Sequence, residues 1–282
     1  MANYTTADVK KLREATGAGM LDCKNALVEA DGDYDRAVEV LRVKGAKGVG
    51  RREGRTASNG LIAAQLKGTS AGVLLELNCE TDFVAKTDGF QQLAASVAEI
   101  VLETDAIDSA ALLTTEHDAK TVKEILDEAN AVMGEKIEVR RFTRFAADTG
   151  QPGYVATYLH RTSPDLPPTV GVLIELDREN AQLGKEIAQH IAAMMPTYVT
   201  GADIPEETLA NERRIAAATS REEGKPEAAL PKIIEGRLRG FVKEVALVGQ
   251  PFVKDSKKTV GAVLDDAGVS VRRFVRYRVG QP

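Results

Sequence analysis

Apolar positions over the first 45 residues recur at helical spacing and predict three short helices. Thr5 and Asp8 set a capping-box start, Val9, Leu12 and Ala15–Thr16 share one face, and Gly17 stops the turn. Leu21, Ala26 and Leu27 continue on a second helix that ends at Asp31–Gly32. Asp33 caps a third, with Ala37, Val38 and Leu41 inward and Gly45 closing it. About forty residues are marginal for an independent fold, so this is a small module.

Beyond residue 60 the period changes. Leu61 to Leu66 and Gly72 to Asn78 read as a hairpin across Lys67-Gly68-Thr69-Ser70. Phe90, Leu93, Ala94, Val97 and Val101 mark one helical face; Thr121 and Glu124 begin another helix that Gly134 ends; Ile137 to Phe145 alternates as a strand. The pattern then returns. Gly153–Leu159 matches Gly60–Leu66, and Gly171-Val172-Leu173-Ile174-Glu175-Leu176 matches Gly72-Val73-Leu74-Leu75-Glu76-Leu77. Leu183, Ile187, Ile191 and Met194 supply the helix face, and Val271–Tyr277 matches the strand that begins at Val139. The predicted fold is α+β: a three-helix N-terminal module, then a duplicated core of a three-stranded antiparallel sheet with helices on one face. The second copy is longer by a helical hairpin at about 201–245. Asp203-Ile204-Pro205 opens it, Leu209 and Ile215–Ala216 give a sparse stripe, and Gly224-Lys225-Pro226 turns it. Leu230, Ile234, Phe241 and Val245 line the return, with Pro231 expected near the start of the second helix. The expected domains are 1–56, module and basic linker; 57–150, first core copy; and 151–282, second core copy with the hairpin.

Length, at 282 residues, and a hydrophobic content of 43% permit two or three domains with real cores. A net charge of −5 argues against general nucleic-acid binding. No apolar run approaches membrane-spanning length, and Met1-Ala2-Asn3-Tyr4 has no signal or transit pattern, so a cytoplasmic protein is expected. Cys23 and Cys79 give neither a disulfide framework nor zinc spacing and are expected to pack as small apolar groups. His117, His160 and His190 are scattered, without metal-ligand spacing. Cys79 with a distant His would make a thiol hydrolase on residue types alone. The stretch Lys44 to Arg55 is basic and Gly-rich, but it lacks the phosphate-loop pattern and follows a helix. No cofactor and no metal are called for.

The chemistry concentrates at Cys79-Glu80-Thr81-Asp82-Phe83-Val84, between a predicted strand and the helix start Thr87-Asp88-Gly89-Phe90. A large apolar side chain beside an acid on such a loop suits a tip that another protein reads, although Phe83 could instead plug its own core. The second copy is the internal control: its loop is Arg178-Glu179-Asn180-Ala181, with no aromatic residue. A plug required by the fold would appear in both copies.

Glu76 to Lys86 resembles the signature of the elongation factor Ts family, and Leu12 to Leu27 is similar to its other signature. The resemblance implies a nucleotide exchange factor with no covalent chemistry of its own. It would bind the GTPase EF-Tu in its GDP form, accelerate GDP release by disturbing the Mg²⁺ and phosphate sites, and let GTP rebind. It implies further that the first module is like ubiquitin-associated domains and docks on EF-Tu through Arg13, Met20 and Leu21. Thr81, Asp82, Phe83 and Val84 would dislocate the Mg²⁺, His160 would lie against the phosphate-binding side, and the hairpin would be a coiled coil. Local features alone would make Met20 a core residue and His160 an exposed strand end. Gly249–Val253 also resembles a family segment. The rival reading is a non-enzymatic adaptor whose basic stretch touches RNA. Whether the hairpin pairs two copies or braces one is left open.

Overall fold

The computed structural model describes residues 3–46, 52, 54–146, 153–163 and 165–281; Lys47 and Arg51 of the basic stretch lie outside them. Helices α1 (Thr6–Thr16), α2 (Met20–Glu29) and α3 (Tyr34–Ala46) open the chain. Thr5 and Asp8 close the capping box: the Asp8 N–H donates to Thr5 Oγ at 3.2 Å, and the Thr5 N–H to the Asp8 carboxylate at 2.7 Å. Gly17 ends α1 in the left-handed region, where a side chain would be strained. Leu12, Cys23, Ala26, Leu27 and Ala37 meet in a dry centre. Met20, a core residue on local features alone, is exposed, and so is Leu21, which the resemblance makes a docking residue. Leu21 precedes Cys23 by two residues, about 200° round the helix, so Cys23 takes the inner position and Leu21 faces out.

Strands β1 (Asn59–Lys67) and β2 (Ala71–Cys79) form the expected hairpin. Then come α4 (Asp82–Ala85), α5 (Asp88–Glu103), α6 (Ser109–Leu113), the two-residue strands β3 (Glu116–His117) and β4 (Lys120–Thr121), α7 (Val122–Met133) and β5 (Glu138–Ala146). The sheet runs β1-β2-β5, antiparallel throughout. β2 is central and buried at every position. Its Val73, Leu75 and Leu77 join Phe90, Ala94, Val97 and Val101 of α5 and Leu126 of α7 in one core. Thr121 and Glu124 make a second capping box, and Gly134 ends α7 at φ 77°.

The second copy provides β6 (Tyr154–His160), β7 (Val170–Leu176), α8 (Ala181–Met194), α9 (Glu206–Glu222), α10 (Leu230–Val245), β8 (Pro251–Phe252), β9 (Asp255–Thr259), α11 (Val260–Ala267) and β10 (Val271–Arg278). Its sheet order is β10-β7-β6, so the second strand is again central. The duplication extends to chemistry. Glu76 on β2 accepts from Arg141 Nε at 2.8 Å, and Glu175 on β7 accepts from Arg273 Nε at 2.7 Å. The α9–α10 pair is the expected hairpin, with Pro231 in the first turn of α10. The short β8–β9 hairpin and α11 have no counterpart in the sequence reading.

By contacts the chain divides into two compact units: Met1–Ala146 with Thr157–Leu173 and Tyr277–Pro282, and Ala147–Ala156 with Ile174–Arg276. Within the first, α1 packs on α5 and α3 on α7. Both approaches are backbone-close. A Cβ on Gly89 would stand 2.4 Å from the Ala15 carbonyl oxygen, and one on Gly45 would overlap that of Ala131.

Candidate functional site

β2 ends at Cys79, and the chain turns through Glu80 and Thr81 into α4. Thr81 caps this helix, its Oγ accepting from the Val84 N–H at 3.4 Å. Val84 and Ala85 are buried and root the turn in the core. Val84 therefore sits beneath the tip, while Asp82 and Phe83 point outward. Phe83 is 72% exposed, so it does not plug its own core. Lys86 donates to the Asp82 carboxylate at 2.7 Å and stands 5.7 Å from the centre of the Phe83 ring. This ammonium holds the Asp82 carboxyl below its ordinary pKa, so the acid at the tip is ionised.

The base of the tip is tied down by residues that the sequence reading passed over. Glu135 accepts from the Glu80 N–H at 3.1 Å, the Thr81 N–H at 3.0 Å and the Thr81 hydroxyl at 2.5 Å. The Glu80 carboxylate accepts from the Lys136 N–H at 2.7 Å and pairs with Arg55 at 3.3 Å. The available signal was Gly134: a helix stop there puts Glu135 and Lys136 on a turn before β5.

A cleft of about 470 Å³ joins the tip to the N-terminal helices. Lys10, Arg13, Glu14, Gly17 and Met20 line one side; Phe83, Lys86, Thr87 and Asp88 line the other. Arg13 and Met20, far from Phe83 in sequence, thus share one cavity with it. Leu21 is exposed nearby in sequence but does not line the cleft. His160 closes β6 as an exposed side chain with its Nδ1 3.0 Å from the Tyr158 hydroxyl, and it too lies outside the cleft lining.

The remaining titratable groups have structural surroundings. Cys79 is buried, its thiol donates to the Thr81 carbonyl at 3.1 Å, and burial pushes its pKa up to about 12. Such a thiol is not a nucleophile at neutral pH. His190 is fully buried: its Nδ1 accepts from the Val253 N–H at 3.2 Å, and its Nε2 lies 2.9 Å from Gln250 Oε1. That pattern fixes the neutral Nε2–H tautomer, which desolvation also favours. The Gly249–Val253 segment thereby latches onto α8. Among the described residues no group of three or more His, Cys, Asp or Glu could hold a metal ion, and no helix is long and apolar enough to cross a membrane.

The family model described as Elongation factor TS matches residues 80–281. An elongation factor Ts of Thermobifida fusca is 59% identical over 282 residues, covering all of both chains. That of Acidothermus cellulolyticus is 58% identical over 281 residues, again covering both in full, and that of Micrococcus luteus is 52% identical over 283 residues, with 99% of this chain covered. The chain belongs to the elongation factor Ts family. The match to the Ts family model begins at Glu80 and so takes in the Thr81–Val84 tip and both sheets from there on. The Ts relatives extend the likeness over α1 to α3, which carry Arg13, Met20 and Leu21.

Proposed function

We propose that this chain is the guanine-nucleotide exchange factor of EF-Tu in translation elongation, working in the cytoplasm: it binds EF-Tu·GDP, speeds GDP release and lets GTP rebind. The observation that carries this reading is the exposed Phe83, raised on a rooted turn at the rim of the cleft it shares with Arg13 and Met20. A side chain with no packing duty, beside an ionised Asp82, suits insertion into a seam of the GTPase near its Mg²⁺. Phe83 is the wedge. Asp82 disturbs the water and ligand network of the metal, Thr81 and Val84 hold the turn from which both project, and His160 acts from the phosphate side. Arg13, Met20 and Leu21 provide the first docking contacts.

Magnitudes show why one residue is not enough. A GDP held at nanomolar affinity is secured by about 12 kcal/mol. Burying one Phe returns about 1.5–3 kcal/mol. The docking residues must therefore add contacts that are stronger to open EF-Tu than to the GDP-filled form, and the coupling is reciprocal: GDP weakens the factor as much as the factor weakens GDP.

The test is release of a fluorescent GDP analogue from EF-Tu, chased with excess GDP. The wild-type chain should accelerate release, and Phe83→Ala should lower that acceleration about ten- to a hundredfold at subsaturating factor. His160→Gln should lower it as well. No acceleration by the wild type refutes the reading; full activity of one variant removes that residue from it.

A further inference from the structure

We infer that Glu135 is a positioning residue for exchange: its carboxylate fixes the direction in which Asp82 and Phe83 leave the core. The inference rests on the exchange reading above. Glu135 does not line the cleft, and both of its oxygens are spent on the base of the tip. Two backbone N–H groups and a hydroxyl converge on it, while Lys136 answers in the opposite sense by donating its N–H to Glu80. The strand-to-helix loop is thus clasped by the helix-to-strand loop that follows Gly134.

The tip needs such a clasp. α4 has four residues, far too few to hold a helical direction by itself. Phe83 is exposed and has no core contact to fix it. Its direction is set by the buried Val84 and Ala85 beneath and by whatever fixes Thr81, the cap. Glu135 holds both donors of Thr81 at once. A wedge already aimed on arrival spends none of its docking energy on ordering itself. In the second copy the corresponding loop carries no aromatic tip, and there Asp177 itself accepts from the Ser270 N–H at 2.8 Å, 93 positions away.

A Gln at 135 keeps the volume but offers one acceptor oxygen to three donors, so it loses most of the clasp. The experiment measures the limiting rate of GDP release and the half-saturating factor concentration for wild type, Glu135→Ala, Glu135→Gln and Phe83→Ala, and for Glu135→Ala combined with Phe83→Ala. The expected result for both Glu135 variants is a limiting rate about tenfold lower, with half-saturation moved less than about threefold, because Arg13 and Met20 still dock. In the Phe83→Ala background the loss from Glu135→Ala should shrink to about threefold or less, since only Asp82 remains to be aimed. If Glu135→Ala fails to fold, Glu135→Gln carries the same cycle. A Glu135 variant with the wild-type limiting rate overturns the inference. So does a loss that is undiminished when Phe83 is already absent, which is the mark of a general brace. A wild type that does not accelerate release takes down the exchange reading itself, and the inference with it.

Discussion

Gly89→Ala sets two physical effects against each other. Gly89 is the second residue of α5, and replacing a helical Gly by Ala ordinarily stabilises by about 0.5–1 kcal/mol. Here the added Cβ would lie 2.4 Å from the carbonyl oxygen of Ala15, near the end of α1. The obstacle is backbone and cannot rotate away as a side chain would, so α1 must retreat from α5. Overpacking of this kind costs about 1–3 kcal/mol. The clash therefore wins, with a net loss of about 1–2 kcal/mol, or roughly 2–4 °C in Tm per kcal/mol for a chain of this size. The relief opens the cleft between Met20 and Phe83, so exchange should fall too. Gly236→Ala in α10 is the control, because nothing lies within 4 Å of its added Cβ and helix propensity acts alone. Urea unfolding of the three proteins, with m-values compared, reads out the sign. A Gly89→Ala protein more stable than wild type, alongside a stabilised Gly236→Ala, would refute the close approach of α1 to α5 as a constraint.

Two further outcomes follow from buried charge. The His190 pKa is held below 6.5, chiefly by burial, against a smaller opposing effect of Gln250. Below about pH 6.5 the unfolded chain takes up a proton that the folded chain refuses, so stability should fall from there toward pH 5 and be level above. Urea midpoints that stay flat from pH 7.5 to 5 would contradict this. Glu76 is fully buried, with its carboxylate on Arg141 and on the Gly280 N–H at 3.0 Å. Glu76→Ala leaves the Arg141 guanidinium to the Arg278 and Gln281 carbonyls and the Tyr277 ring, with no counter-charge from Glu76, and should cost about 3 kcal/mol; a midpoint within error of wild type would show the pair to be idle.

How much of this was legible in the sequence follows from periodicity. The central strands β2 and β7, the faces of α5 and α8, and the Thr5 and Thr121 caps were readable because spacing and capping are local. Met20 reads as core on local spacing because an apolar residue at a helix start fits either face until Cys23 claims the inner one, and it is exposed. The β8–β9 hairpin and α11 were missed because their strands are two and five residues long and β9, Asp255–Thr259, is exposed throughout. The tip itself was found by comparing the two copies. Its support was not, since Glu135 reaches Thr81 across 54 positions and no periodic pattern marks such a bond.

The cleft changes what the first module contributes. On a loose linker, α1 to α3 would serve as a tether: they would raise the local concentration of the tip without pushing on anything. The close backbone approaches at Gly89 and Gly45 instead seat α1 on α5 and α3 on α7, with Met20 and Phe83 across one cavity. If Arg13 and Met20 dock as proposed, their contacts resist any recoil of Phe83, and the energies of docking and wedging add on one face. This is the form in which contacts of a few kcal/mol each can oppose the 12 or so that hold a nucleotide. It also means that a lesion at Gly89, which does not itself line the cleft, should act on release as a lesion in the wedge does.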